Sequence, residues 1–178
     1  MLWAPFFWKK RLKHLNIRKG KNMANPSEDK SNREIVITRI YDASRERVWE
    51  AWTNPQQIVK WWGPNGFTNT LYEMDVKPGG IWRHMMHGPD GTDYPNKVVY
   101  SEVIKPERLV YTHGRDDDEA SACQHHVTVT FEEAEDNKTK LTLRMLFISE
   151  EERNKTAEYA VEGGNQTFGR LDDYLRNG

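Results

Sequence analysis

The chain has a single cysteine, Cys123, and can therefore form no internal disulfide bond. This scarcity fits a reducing compartment, so we expect a cytoplasmic protein in which Cys123 is a buried, inert thiol. Long apolar runs are also missing, since no stretch approaches the roughly 20 apolar residues that a membrane-spanning helix requires. Stable membrane association is not expected.

The signatures of nucleotide and metal binding are missing as well. No glycine-rich loop follows a strand and opens a helix, so nucleotide binding has no support. His84, His113 and His125 lie on three predicted strands and could in principle bind zinc, but their spacing is not that of a metal site. We expect neither a metal nor a cofactor.

Charge is distributed unevenly along the chain. Residues 1–22 contain seven basic and no acidic residues, whereas the remainder has 19 Lys and Arg against 27 Asp and Glu, a net charge of −8. This acidic body argues against a nucleic acid partner. The leader is either a basic arm for an anionic membrane surface or a disordered or non-native extension before a natural start at Met23. We favour the extension, and assign residues 1–32 to leader and linker and residues 33–178 to one domain.

Local patterns predict three helices. Residues 42–53 carry an apolar stripe at helical spacing and follow a capping residue, either Asp42 or Ser44. A second, short helix opens at Pro55. The last helix spans residues 149–175, and a glycine pair in its middle, which costs roughly 1 kcal/mol per Gly relative to Ala, indicates a bend or a need for space beneath it.

Strand patterns separated by short turns predict an antiparallel sheet. Residues 34–41 are rich in β-branched side chains and form the first strand. Six more strands follow the short helices, over residues 67–76, 80–87, 94–104, 107–114, 123–132 and 139–149. Such a seven-stranded meander must bury one face, and the last helix is the element available to cover it.

The strand between the turns at residues 78–80 and 89–91 has bulky, weakly polar side chains on both faces, which suits the wall of a ligand cavity. Because alternate residues of a strand face the same way, each strand contributes its own set of side chains to the inward face. The expected ligand-binding residues, with contributions from the short and long helices, are Trp61, Trp82, His84, Met86, Tyr100, Glu102, Tyr111, His113, His125, Gly164 and Phe168.

Four motifs over residues 34–175 resemble, in order and spacing, the family of activator of heat-shock protein ATPase homologue 1-like proteins in the SRPBCC, START-like superfamily. They are YDASRERVWEAWTNPQQIVKWWGPNGF, DVKPGGIWRHMMHGPDGTDY, KPERLVYT and EGGNQTFGRLDDYL. The resemblance implies an α+β helix-grip fold: a curved seven-stranded antiparallel sheet wrapped on a long C-terminal helix, with two short helices after the first strand. It also implies a hydrophobic cavity between sheet and helix. Gly164 stands where some members have an aromatic residue, which would widen that cavity.

Three functions are compatible with these features. The first is binding of a small apolar or amphipathic molecule by a monomer or homodimer. The second, implied by related START-like cyclases and hydrolases, is an enzyme that uses His84, Glu102 or His113 as acid or base. The third, a stress-linked or heat-shock-ATPase-activating interaction module, rests on the family name alone. No catalytic signature accompanies the cavity, so we favour binding over catalysis.

Overall fold

The structure, a computed structural model, describes residues 30–116 and 125–177. The predicted leader over residues 1–22 and the single cysteine, Cys123, lie outside these ranges. A 3-10 turn precedes the first strand, and a second one joins the last two strands. The elements are β1 (Glu34–Tyr41), α1 (Arg45–Thr53), α2 (Pro55–Trp61), β2 (Thr68–Met74), β3 (Ile81–His87), β4 (Asp93–Ile104), β5 (Arg108–Arg115), β6 (His125–Ala134), β7 (Lys138–Leu146) and α3 (Glu150–Asn177).

The seven strands form one antiparallel sheet in the order β1-β7-β6-β5-β4-β3-β2. Strands β2 to β6 each pair with the next strand in the chain, whereas β1 pairs with β7, with Glu34 opposite Leu146 and Tyr41 opposite Thr139. The helices α1 and α2 therefore carry the chain from one edge of the sheet to the other. The predicted α+β architecture, with seven antiparallel strands and a long C-terminal helix, is confirmed.

Side-chain caps fix where the helices begin. Ser44 Oγ accepts a hydrogen bond from a backbone N–H of the first turn at 3.3 Å, so Ser44 rather than Asp42 caps α1. Asn54 caps α2 in the same way, at 2.9 Å. Ser149 Oγ accepts from a first-turn N–H of α3 at 3.2 Å. Each cap satisfies a backbone donor that has no partner inside the helix.

An aromatic core joins the helices to one end of the sheet. Trp52 of α1 is at its centre, with ring centroids 5.0 Å from Trp61, 5.8 Å from Phe131 and 6.1 Å from Phe168. The main packing partners of α3 are β1, the two short helices and the turn before β1. The inward faces of β3 to β5 therefore lie away from the contact between α3 and β1, whereas β6 packs against α1.

Strand β4 contains a bulge that simple alternation does not anticipate. The register shifts between Tyr100, which lies opposite Tyr111, and Glu102, which lies opposite Val110. Tyr100 is 2% exposed, whereas the Glu102 side chain is 42% exposed and pairs with Arg108 at 2.5 Å. Because an extra residue in one strand reverses the alternation beyond it, the prediction that Glu102 faces inward is wrong.

Candidate ligand-binding site

A row of side chains crosses the inward face of the central strands. Trp82 of β3 lies opposite Val98 of β4, Val98 opposite His113 of β5, and His113 opposite His125 of β6. Residues directly opposite in paired strands share a face, so the row gathers polar aromatic groups from separate parts of the chain. With their neighbours on this face they form what we call the inward polar cluster: Trp82, His84, Tyr100, Tyr111, His113 and His125.

The most buried part of the cluster is a stacked pair on β3. The rings of Trp82 and His84 are 4.2 Å apart with an interplanar angle of 17°. They are 2% and 1% exposed. Trp62, which follows α2, packs edge-on against both, at 5.1 Å from Trp82 and 6.4 Å from His84. Three rings from two elements thus form a rigid aromatic wall.

Three polar atoms of this stack have no hydrogen-bond partner among the described residues: Trp82 Nε1, His84 Nδ1 and His84 Nε2. All three are closed to bulk solvent. Leaving one such group unsatisfied costs about 1–3 kcal/mol, and native proteins pair nearly all of them with protein, water or ligand. The stack therefore has the chemistry to hold the polar part of a bound molecule.

The other two histidines of the cluster make hydrogen-bond and ring contacts with neighbouring side chains. His113 Nε2 donates to Asn96 Oδ1 at 3.0 Å, since the Asn96 Nδ2 amide already donates to the Tyr94 carbonyl at 2.7 Å. The rings of His113 and His125 are 5.2 Å apart, and His125 stacks on Phe147 at 5.0 Å. This arrangement assigns the His113 proton to Nε2 and leaves its Nδ1 as an acceptor.

Burial keeps four of the cluster side chains, His84, His113, Tyr100 and Tyr111, uncharged near neutral pH. Burial lowers the pKa of His84 to about 3. It also lowers the pKa of His113 well below its ordinary value, and the neighbouring His125 and His84 add to this effect. The pKa values of the Tyr100 and Tyr111 hydroxyls are raised by the same cause. These four side chains therefore offer hydrogen-bond donors and acceptors without a charge.

Two of the expected ligand-binding residues belong to the aromatic core instead. Trp61 Nε1 donates to the Ala51 carbonyl at 3.0 Å, and its ring packs on Trp52. Phe168 packs against the same Trp52, and its backbone carbonyl accepts from the Tyr41 hydroxyl at 3.3 Å. Both side chains lie between α1, α2, α3 and β1, because these elements pack on one another more closely than on β3 to β5.

Gly164 does not open onto free space. A Cβ at this position would collide with Cδ1 of Ile37 on β1. The absence of a side chain therefore lets α3 approach β1, and the expectation that Gly164 widens a cavity is wrong. Met86 lies elsewhere, near the loop after α2, where its Cε is 3.8 Å from the Cβ position of Gly63.

Sequence reasoning missed Trp62 and Asn96. Helix α2 ends at Trp61, and Trp62 takes an extended conformation in which its ring packs on both Trp82 of β3 and Trp52 of the core. Asn96 lies opposite His84 in the sheet. Strand alternation alone could have found Asn96, because it shares its face with Val98 and Tyr100.

The inward polar cluster contains neither a group of metal ligands nor a His–carboxylate pair among the described residues. Within residues 30–116 and 125–177 no three His, Cys, Asp or Glu side chains are grouped so that they could hold a metal ion. Glu102, the carboxylate of the predicted acid/base set, lies outside the cluster because of the β4 bulge. Among the helices of the described part of the chain, none is long and apolar enough to span a bilayer.

A seven-stranded antiparallel sheet packed with a long C-terminal helix, and two short helices between its edge strands, defines the START-like helix-grip class. Residues 42–176 match the family model described as Activator of Hsp90 ATPase homolog 1-like protein. The chain belongs to this family. No protein of curated function matches it in sequence.

Solved structures of bacterial proteins have the same fold. A protein of Arthrobacter aurescens is 28% identical with a TM-score of 0.76, and the match covers 85% of this chain and 91% of that one. A protein of Mycobacterium smegmatis is 24% identical with a TM-score of 0.75, covering 87% and 98% of the two chains. The AHSA1 protein of Silicibacter pomeroyi is 19% identical with a TM-score of 0.69, covering 80% and 97%.

Proposed function

We propose that this chain binds a small apolar or amphipathic molecule at the inward polar cluster, on the inward face of β3 to β6. The observation that carries the proposal is the Trp82–His84 stack, with three buried nitrogen atoms that have no hydrogen-bond partner in residues 30–116 and 125–177. Aromatic walls with a few convergent polar groups are typical of small-molecule sites. A cytoplasmic location fits this function and a chain with a single cysteine.

Binding is favoured over catalysis by the surroundings of the histidines. A general acid or base works best with a pKa near the operating pH. Burial instead lowers the pKa of His84 to about 3, and the only hydrogen bond of the His113 ring within the described residues is to the neutral Asn96 amide. Neither histidine is therefore tuned for proton transfer at neutral pH.

Two measurements test this function. Native mass spectrometry of freshly purified protein should detect a small molecule that dissociates on collisional activation. Titration with the neutral fluorophore N-phenyl-1-naphthylamine should give saturable binding and a higher melting temperature, because a ligand that binds only the folded state stabilises it.

A matched pair of variants on β3 locates the site. His84→Trp places a larger ring in the cluster and should weaken fluorophore binding. His87→Trp makes the same change on the opposite face of the strand, where the imidazole bonds to Asp93 at 2.6 Å and Thr70 at 2.8 Å. It should leave binding unchanged. The function is wrong if the parent neither binds the fluorophore saturably nor carries a small molecule.

A further inference from the structure

The unpartnered atoms of the Trp82–His84 stack specify which polar group a ligand needs. The indole Nε1 of Trp82 can only donate a hydrogen bond, whereas a neutral imidazole has one donor and one acceptor nitrogen. The stack therefore presents two N–H donors and one acceptor. The two imidazole nitrogens point in divergent directions, so a single ligand atom reaches only one of them.

Among common oxygen groups a hydroxyl matches this set for either tautomer of His84. It accepts from the Trp82 N–H, and it either donates to an unprotonated His84 nitrogen or accepts from a protonated one. An ether or carbonyl oxygen can only accept, so it fits only when the nearer imidazole nitrogen carries the proton. Rotation of the hydroxyl hydrogen makes it the one group that pairs in both cases.

An uncharged hydroxyl fits this desolvated site better than an ionised carboxylate does. Transfer of an ionised carboxylate into a desolvated site is costly unless a cation pairs with it. His84, Trp82 and Asn96 are all neutral. The cationic residue next along this row of the sheet is Arg115, opposite Asn96 on β5, and it is already engaged in an interaction. A carboxylate at the stack would therefore have to share Arg115 with the partner it already has in order to gain a counter-ion.

From these contacts we infer that the site selects an uncharged hydroxyl compound, a phenol or alcohol whose apolar body lies along the aromatic wall while its hydroxyl bonds to Trp82 and His84. This inference rests on the proposed function and adds the chemical class of the ligand. The hydroxyl takes the place of the partner that the buried nitrogens lack within the described part of the chain.

The test compares four naphthalene probes that share one ring system: naphthalene, 2-naphthol, 2-methoxynaphthalene and 2-naphthoate. Their dissociation constants are measured at neutral pH by displacement of N-phenyl-1-naphthylamine. We expect 2-naphthol to bind about tenfold more tightly than each of the other three, which corresponds to one hydrogen bond in a buried site.

Two variants test whether the Trp82–His84 stack causes the preference for 2-naphthol. His84→Phe keeps a ring but removes both nitrogens, and Trp82→Phe removes the indole N–H. In each variant the ratio of the naphthalene to the 2-naphthol dissociation constant should fall close to unity. The control His87→Phe, on the same strand and the opposite face, should keep the parent ratio. Circular dichroism and melting curves show which variants are folded, and either folded cluster variant suffices.

The outcomes separate this inference from the function on which it rests. If no probe displaces the fluorophore and the fluorophore itself does not bind, the proposed function fails. If naphthalene, 2-methoxynaphthalene or 2-naphthoate binds the parent as tightly as 2-naphthol, the hydroxyl inference is overturned while ligand binding stands. It is also overturned if the preference for 2-naphthol survives in the folded cluster variants.

Discussion

At the scale of single residues, burial controls the protonation of His84. Its pKa is lowered from 6.5 to about 3 by burial. Between these values the unfolded chain binds a proton that the folded chain excludes, so acid shifts the equilibrium toward unfolding. The stability linked to the neutral imidazole is complete above pH 6.5 and is lost as the pH falls toward 3. His113, whose pKa is also lowered, acts in the same direction.

The first prediction follows from this linkage. Lowering the pH from neutral to about 5 should destabilise the parent, and each such histidine contributes up to about 1.4 kcal/mol per pH unit within the window. His84→Phe should lose less stability over the same change, since one titrating group is gone. Thermal unfolding at both pH values measures the difference, with His87→Phe as control. Equal acid sensitivity of parent and His84→Phe would refute the prediction.

The second prediction concerns Gly164 and its contact with Ile37. Gly164→Trp should destabilise the fold by roughly 1–3 kcal/mol or more through overpacking, despite a gain in helix propensity of about 1 kcal/mol. Ile37→Ala in the same chain should recover part of that loss, because the two side chains compete for one space. Urea unfolding of the single and double variants gives the coupling. Full stability of Gly164→Trp alone would instead indicate free volume beneath α3.

At the scale of elements, one arginine ties α3 to the end of α2. The Arg170 Nη1 donates to the carbonyls of Gly63 at 2.9 Å, Pro64 at 2.8 Å and Trp62 at 3.3 Å. These carbonyls follow the end of α2, and Nη2 of the same guanidinium lies 3.4 Å from the Lys60 carbonyl in the last turn of the helix, where acceptors lack intrahelical partners. The same segment carries Trp62, so this contact also positions the aromatic wall against β3.

The third prediction is that Arg170→Met destabilises the protein by about 1.5–3 kcal/mol, the range for hydrogen bonds to a charged group. Arg170→Lys should recover little, because an ammonium lacks the planar fork that reaches several carbonyls. Arg176→Met on the same helix is the control, since it breaks only an exposed pair with Asp172. Chemical unfolding compares the three. If Arg170→Met and Arg176→Met have the same free energy of unfolding, the Arg170 hydrogen bonds do not contribute measurably to stability.

At the scale of the whole molecule, the described residues form a complete hydrophobic core among themselves. The buried apolar side chains run from Ile35 of β1 to Leu171 of α3, and β1 is paired along its length with β7. Residues 1–22 lie outside this description, and their assignment as a leader remains a prediction.

The fourth prediction tests that assignment. A chain that starts at Met23 should melt within about 2 °C of the full chain, because removing residues that are not part of the core usually changes stability by no more than about 0.5 kcal/mol. It should also bind N-phenyl-1-naphthylamine with the parent affinity. Calorimetry and titration measure both quantities. A clearly lower melting temperature would make residues 1–22 part of the fold.

The sequence by itself determined the elements and most of their faces. The caps Ser44, Asn54 and Ser149 are local signals, since each side chain bonds to a backbone group two or three residues away. Alternation correctly placed His84 with Trp82, and His113 with Tyr111, on the inward face. Such features depend on neighbours in the chain and on periods of about 2 and 3.6 residues, which a single sequence displays.

Only the tertiary structure decided which of these side chains meet. The β4 bulge that turns Glu102 outward depends on the register with β5. The close approach of α3 to β1 explains why position 164 has no side chain. The extended turn after α2 places the Trp62 ring, and not that of Trp61, against Trp82 in the aromatic wall. The unpartnered nitrogens of Trp82 and His84 exist only once the surrounding strands and helices exclude water. Contacts between distant segments create these features, so no local pattern in the chain encodes them.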